Sequence, residues 1–148
     1  MGNTTFTGAV RSESTFKTVS KNTTTGAITE VVTVGRVILV PDGGQDNTYT
    51  LPAPVAGSMF RFVYAGGAAD ATDAIIVTPA NANFFVGGVT FLDTDNEVSA
   101  VFSDGNSNSK IQINVPAGFD VTIMGIDATN YQIFGSVTGA TAPAFGDQ

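Results

Sequence analysis

The sequence predicts an all-β fold: a single antiparallel β-sandwich or barrel, jelly-roll-like, with an extended N-terminal arm. Three observations lead there. Short runs of β-branched or aromatic residues recur along the chain, each bounded by Gly, Asn, Asp or Pro. No segment holds helical periodicity beyond one or two turns. Hydrophobic residues make up 43% of the 148 positions and charged residues only 13%, which suits a packed domain rather than a disordered tail or a charged coiled coil. Roughly nine or ten strands at this spacing make one domain, long enough to bury a core.

The leading segment, NTTFTGAVRSESTFKTVSKNTTTG, is rich in Thr, Ser and Asn, with isolated apolar residues at Phe6, Val10, Phe16 and Val19. That spacing builds no core, but each apolar side chain could fill one pocket on another surface. Residues 1–26 therefore read as an extended docking arm with a short strand near Phe16 to Val19. The body, residues 27–139, opens with AITEVVTVGRVILV, where Gly35 marks a bulge or turn. PDGGQDN is a turn cluster, since Pro41 ends a ladder and Gly43-Gly44 permit positive φ.

The stretch TYTLPAPVAGSMFRFVYAG is the most distinctive. Thr48 to Leu51 form a strand; Pro52 and Pro54 take the chain off the sheet, and Gly57 turns it back. Phe60, Phe62 and Tyr64 then share one face, with Met59, Arg61 and Val63 on the other. Three aromatics on one face form a core stripe in preference to a sugar- or base-stacking platform, which favours exposed Tyr and Trp; the chain has no Trp. DAIIVTP, FFVGGVTFL, EVSAVFSDG, SKIQINV, DVTIMGI and YQIFGSV continue the strands. Phe60, Phe62, Tyr64, Ile76, Phe91, Val101, Ile113, Ile123 and Ile133 are the expected core. Residues 140–148 read as a flexible C-terminal tail. No internal repeat is visible.

Composition narrows the chemistry. Cys and His are both absent, which removes thiol nucleophiles, disulfides, the usual zinc sites and any Ser-His or Cys-His arrangement. The net charge of −7 lacks the basic footprint of nucleic-acid binding. No apolar run approaches the ~20 residues of a membrane span, and MGNTTFTGAV lacks the features of a secretory signal or a myristoylation site. Charge is unevenly placed. Up to Arg36, four basic residues face two acidic ones; beyond it, Arg61 and Lys110 face eleven acids. A mildly basic arm thus precedes an acidic body.

Asp93, Asp95 and Glu97 in LDTDNEV alternate as calcium ligands do. The EF-hand pattern fails, because its sixth and twelfth positions would be Val98 and Asp104 instead of Gly and Glu. A solvated acidic loop is the preferred reading, with a calcium site shared between subunits as the alternative. Asp42, Asp46, Asp70 and Asp73 are explained by turn chemistry. No carboxylate pair is singled out for glycoside hydrolysis, and no Gly-Lys-Ser/Thr follows the Gly doublets. The expectation is a chain that is not an enzyme and takes no cofactor and no metal.

Three stretches carry a resemblance. FTGAVRSESTFK is similar to the leading motif of many tailed-phage head proteins, particularly of marine and cyanobacterial phages, and that motif also occurs in phage fibres. YTLPAPVAGSMFRFVY resembles their strand–LPA–glycine–aromatic-strand unit, and GIDATNYQIFGSVTG their closing unit, where Trp commonly stands at the position of Tyr131. Together these stretches resemble a capsid decoration, or cement, protein. The resemblance implies a small β-rich protein, often a homotrimer, on the outer capsid surface of the virion, with the major capsid protein as partner. Phe6, Val10, Arg11, Phe16 and Lys17 would be the capsid-docking residues of the arm, with neither nucleic acid nor membrane as partner. The alternative is a head-fibre or tail-fibre receptor-binding module that binds carbohydrate.

Overall fold

A computed structural model provides the structure and describes residues 19–20, 28–31, 35, 37–67 and 72–148. Among these residues there are twelve strands and no helix, hence none long and apolar enough to cross a membrane. The first six strands are β1 (Val19–Ser20), β2 (Ile28–Val31), β3 (Val37–Val40), β4 (Asn47–Thr50), β5 (Met59–Tyr64) and β6 (Ala74–Val77). The second six are β7 (Phe84–Asp93), β8 (Val98–Phe102), β9 (Lys110–Ile113), β10 (Pro116–Gly125), β11 (Asn130–Gly139) and β12 (Ala144–Gly146). They form a seven-stranded sheet, ordered β1-β3-β5-β10-β11-β7-β8, and a five-stranded sheet, ordered β12-β9-β6-β4-β2. Both sheets have free ends, so the fold is not a barrel.

The all-β expectation holds, but the antiparallel, jelly-roll-like arrangement does not: both sheets are mixed. β1, β3 and β5 pair in parallel, as do β2, β4 and β6, and β7 with β11. The cause is the route of the chain. From β1 to β6, successive strands alternate between the two sheets, so each strand meets its predecessor two elements back and runs the same way. The connections favour this route over hairpins. Pro41 follows β3, Pro52 and Pro54 follow β4, and a residue without N–H cannot extend a ladder. The result is three rungs of a coil, although the sequence shows no repeat. Val19 aligns with Ile38 and Ile28 with Asn47, nineteen residues apart in both cases. Longer loops stretch the next rung, where Val37 aligns with Arg61 and Asn47 with Ala74. The repetition lies in the backbone, not in the side chains.

Antiparallel strands close the coil. β10 packs beside β5, with Ile123 opposite Phe60 and Val121 opposite Phe62, and β9 packs beside β6. The two sheets share one apolar core in a sandwich-like arrangement. Tyr49 of one sheet meets Phe62 of the other edge-on, with ring centroids 5.5 Å apart. The period-2 pattern of the sequence decides which side chains enter: Phe60 and Phe62 are fully buried while Met59 and Arg61 are exposed. Ile76, Phe91, Ile113, Ile123 and Ile133 are buried as expected, and Tyr64 and Val101 pack against the core from its margin. Each fully buried large apolar side chain contributes roughly 1.5–3 kcal/mol.

Residues 140–148, expected as a flexible tail, instead carry β12. It pairs antiparallel with β9, places Phe145 6.3 Å from Phe85, and ends with the Gln148 amide donating to the Thr78 carbonyl at 2.9 Å. One aromatic anchor holds a segment otherwise built of small and polar residues, too sparse a pattern to read as a strand.

Candidate binding surface

The arm residues Phe6, Val10, Arg11, Phe16 and Lys17 lie outside the described residues. Val19 and Ser20, later in the expected arm, pair with β3, so its far end is stitched into the seven-stranded sheet.

The LPAP stretch and the closing stretch, 79 residues apart, come together as one unit. The Tyr131 ring is fully buried between Phe60 and Phe85, and its hydroxyl donates to the Pro52 carbonyl. Gly57, with φ of 81°, turns the chain back into β5; its N–H donates to the Gly125 carbonyl at 2.9 Å, and Gly125 N–H donates to the Ser58 carbonyl at 2.8 Å. Gly125 is held to glycine by contact, because a Cβ there would lie 2.1 Å from the Val55 carbonyl oxygen. Burial pushes the Tyr131 phenol up to about 12, so it stays neutral and remains a donor.

The outward face of the seven-stranded sheet is the candidate binding surface. Across its centre, Phe134 stands opposite Thr122, and Thr122 opposite Arg61; Met124 stands opposite Met59. Toward the β8 edge, Leu92 opposes Val98 and Gly88 opposes Phe102. Met59, Leu92, Val98, Phe102, Met124 and Phe134 are all exposed, with Val98 and Phe102 each 70% accessible. Phe102, Phe134 and Gly88 line a shallow groove between β8 and β11. One ion pair crosses this face: Arg61 donates through Nε to Asp120 Oδ1 at 2.8 Å and through its terminal nitrogen to Oδ2. That hydrogen bond and the positive charge hold Asp120 below its ordinary value, partly opposed by burial, while Asp120 raises Arg61. Sequence reasoning missed this surface. The signal was available in EVSAVF, where Val98, Ala100 and Phe102 share a face, and in YQIF, where Phe134 occupies a position the alternation assigns to solvent.

The acidic residues do structural work. Asp93, Asp95 and Glu97 do not line one face as alternating strand residues would. They form the β7–β8 hairpin turn, in which Asn96 N–H donates to the Asp93 carbonyl and Asn96 takes φ of 77°. Asp93 N–H then donates to the Glu97 carbonyl at 2.8 Å, and the Asp93 carboxylate accepts from Asp95 N–H. Asp42 accepts from Gly44 N–H, in keeping with turn chemistry, whereas Asp46 departs from it: it accepts from Asp73 N–H at 3.0 Å, 27 residues on, and ties the start of β4 to the start of β6. Asp73 reaches further: it accepts from the Gln112 amide at 2.7 Å and from Val115 N–H at 2.9 Å. It thereby fixes the bend between β9 and β10, where Val115 is held at φ of 35°, a costly conformation for a β-branched residue. Asp70 lies outside the described residues. Among the described residues, no three of Asp, Glu, His or Cys are grouped to hold a metal ion.

Compared with family models, curated proteins and solved structures, the chain matches none.

Proposed function

We propose that this chain is a structural protein of a tailed-phage head, a decoration or cement protein that binds the outer capsid surface and stabilises the shell. Its partner on this reading is the major capsid protein. The observation that carries the proposal is the resemblance of three stretches to phage head proteins. It is supported by the packing of two of them, through Tyr131 and Pro52, into a single unit of the core. The surface is of the kind such a role uses. Its exposed apolar side chains and the Arg61–Asp120 ion pair offer burial and many weak contacts, while the carboxylates of Asp42, Asp93, Asp104 and Asp127 are engaged in turns. On this reading the chain is not an enzyme.

The alternative, a fibre or receptor-binding module, draws on the coiled winding of β1 to β6, since repeated rungs suit a shaft. Its carbohydrate-binding form is weakened by the tyrosines: Tyr49 and Tyr131 are buried in the core and Tyr64 packs against it, which leaves no phenol on the open face.

The two are separated by mixing the full chain with undecorated heads and with whole host cells. A cement protein co-sediments with the heads and raises the temperature at which they rupture. Binding to cells without binding to heads would favour the receptor reading and overturn the proposal.

A further inference from the structure

The seven-stranded sheet ends on β8, and that edge is open among the described residues. Its hydrogen-bonding direction follows from the hairpin. Asp93 N–H donates to Glu97 at one end of the ladder, and Ser103 N–H donates to Gly87 at 2.9 Å at the other. Antiparallel partners alternate, so Glu97, Ser99, Val101 and Ser103 turn their backbone groups toward β7. Val98, Ala100 and Phe102 therefore direct their N–H and C=O groups outward. None of the usual devices protects this edge: VSAVF contains no charge and no Pro, and its register with β7 runs without a bulge.

We propose that β8 pairs antiparallel with β8 of a second copy about a two-fold axis at Ala100, joining two seven-stranded sheets into one. The strand complements itself in that register. Ala100 meets its own equivalent, and each Phe102 faces Val98 of the partner subunit. All three positions direct their backbone groups in the sheet plane toward the partner, while their side chains stand on the outward face, where they would lie beside those of the partner. Six backbone hydrogen bonds would form, two at each of the three residue pairs.

Charge argues for a copy meeting here and not elsewhere. A chain of net charge −7 repels itself over most of its surface, whereas β8 carries no charge. In the two-fold register, Glu97 faces Ser103 of the partner subunit and Asp104 faces Asn96 of the partner subunit, so no carboxylates stand directly opposed. Asp104 is also turned into its own loop, where it accepts from the N–H groups of Asn106, Ser107 and Asn108. A three-fold assembly, which the resemblance implies, would need β8 to meet a different surface and would forgo this self-complementarity. The inference stands independently of the capsid reading.

A five-residue strand buries less than the ~1,200 Å² of a stable complex, so the dimer belongs to the weak class and is read by sedimentation from about 10 µM to about 500 µM. The weight-average mass should climb from 15.2 kDa toward twice that value. Ala100→Pro removes an outward N–H without touching the β7 ladder, and Val98→Lys places a charge on the edge. Both should hold the chain at monomer mass while the thermal midpoint of a dilute sample stays within a few degrees of the parent's. Because the chain has no Cys, A100C offers a second readout. Hydrogen-bonded antiparallel partners lie about 5.5 Å apart at Cα, within reach of a short thiol-to-thiol cross-linker, so with such a reagent A100C should cross-link at least tenfold faster than S107C in the neighbouring loop. A mass that stays at monomer, a mass that reaches three chains, or equal cross-linking of A100C and S107C would each overturn the proposal.

Discussion

Tyr131 couples the two halves of the molecule through one hydroxyl, and its protonation state is part of that coupling. Burial pushes it up to about 12, and Tyr64 likewise, in the latter case with a smaller contribution from the charge of Asp42. Both phenols are neutral in the fold, while an unfolded tyrosine ionises near pH 10. Their stabilisation is therefore complete below pH 10 and is lost as pH rises from about 10 to about 12. Thermal melts across that range should show a falling midpoint. Tyr131→Phe should flatten part of the fall, at a cost of about 1 kcal/mol at neutral pH for the lost hydrogen bond to Pro52. An unchanged alkaline profile would contradict the assignment. Phe62 tests the core itself: it is fully buried against Tyr49, and Phe62→Ala should cost about 3–5 kcal/mol in denaturant unfolding. A midpoint that does not move would mean that the aromatic stripe is not core. Asp73→Ala should cost about 1–3 kcal/mol, because it strips Val115 N–H and the Gln112 amide of their acceptor.

At the scale of elements, strand existence was legible and strand pairing was not. SMFRFVY shows period-2 alternation with aromatics on one side, and the buried positions follow it. Nothing local says that β5 lies parallel to β3: a strand that will cross to the other sheet has the same alternation as one that will form a hairpin. Only the prolines after β3 and β4 hint at the crossing. β12 escaped notice because three residues and one Phe make no pattern, and the outward apolar face because alternation is usually read for its buried half. The expected docking arm shows in the sequence only as stranded apolar residues, and Phe6, Val10 and Phe16 lie outside the described residues. Glycine positions carry pairing information after the fact. Gly135, at φ of 144° in β11, would place a Cβ 2.2 Å from the Asp120 carbonyl oxygen of the neighbouring strand. Gly135→Ala should lower stability by more than 1 kcal/mol, since both the backbone conformation and the space oppose it. Loops set the acid limit. Asp104 is held down to about 2, first by its bond from the Ser107 hydroxyl and then by backbone N–H groups, and Asp127 is lowered by Asn130 and Thr129. What these carboxylates contribute is present above pH 4 and is lost as pH falls toward 2. Melts between pH 4 and pH 2 should record that decline, and Asp104→Asn should reduce it.

For the whole molecule, the proposed role rests on division of labour: a mildly basic leading segment, expected as a docking arm, precedes in sequence an acidic body whose outward sheet face carries exposed apolar side chains. If Phe6, Val10 and Phe16 each enter a pocket, burial contributes roughly 1.5–3 kcal/mol apiece. Ordering the arm costs about 1–2 kcal/mol per residue, so several arms acting together, or an added strand, are needed for firm docking. Deleting residues 1–15 spares β1 and should leave a folded body that no longer co-sediments with heads. Salt should weaken docking only modestly, since Arg11 and Lys17 are the only charged anchors. Equal binding by the truncated and full-length chains would move the interface to the outward face of the body. The most direct measurement is a reconstruction of undecorated heads incubated with the full chain. The account predicts ordered density of this fold on the outer shell, absent from heads alone; density confined to the tail or to a fibre, or none at saturating concentration, would contradict it.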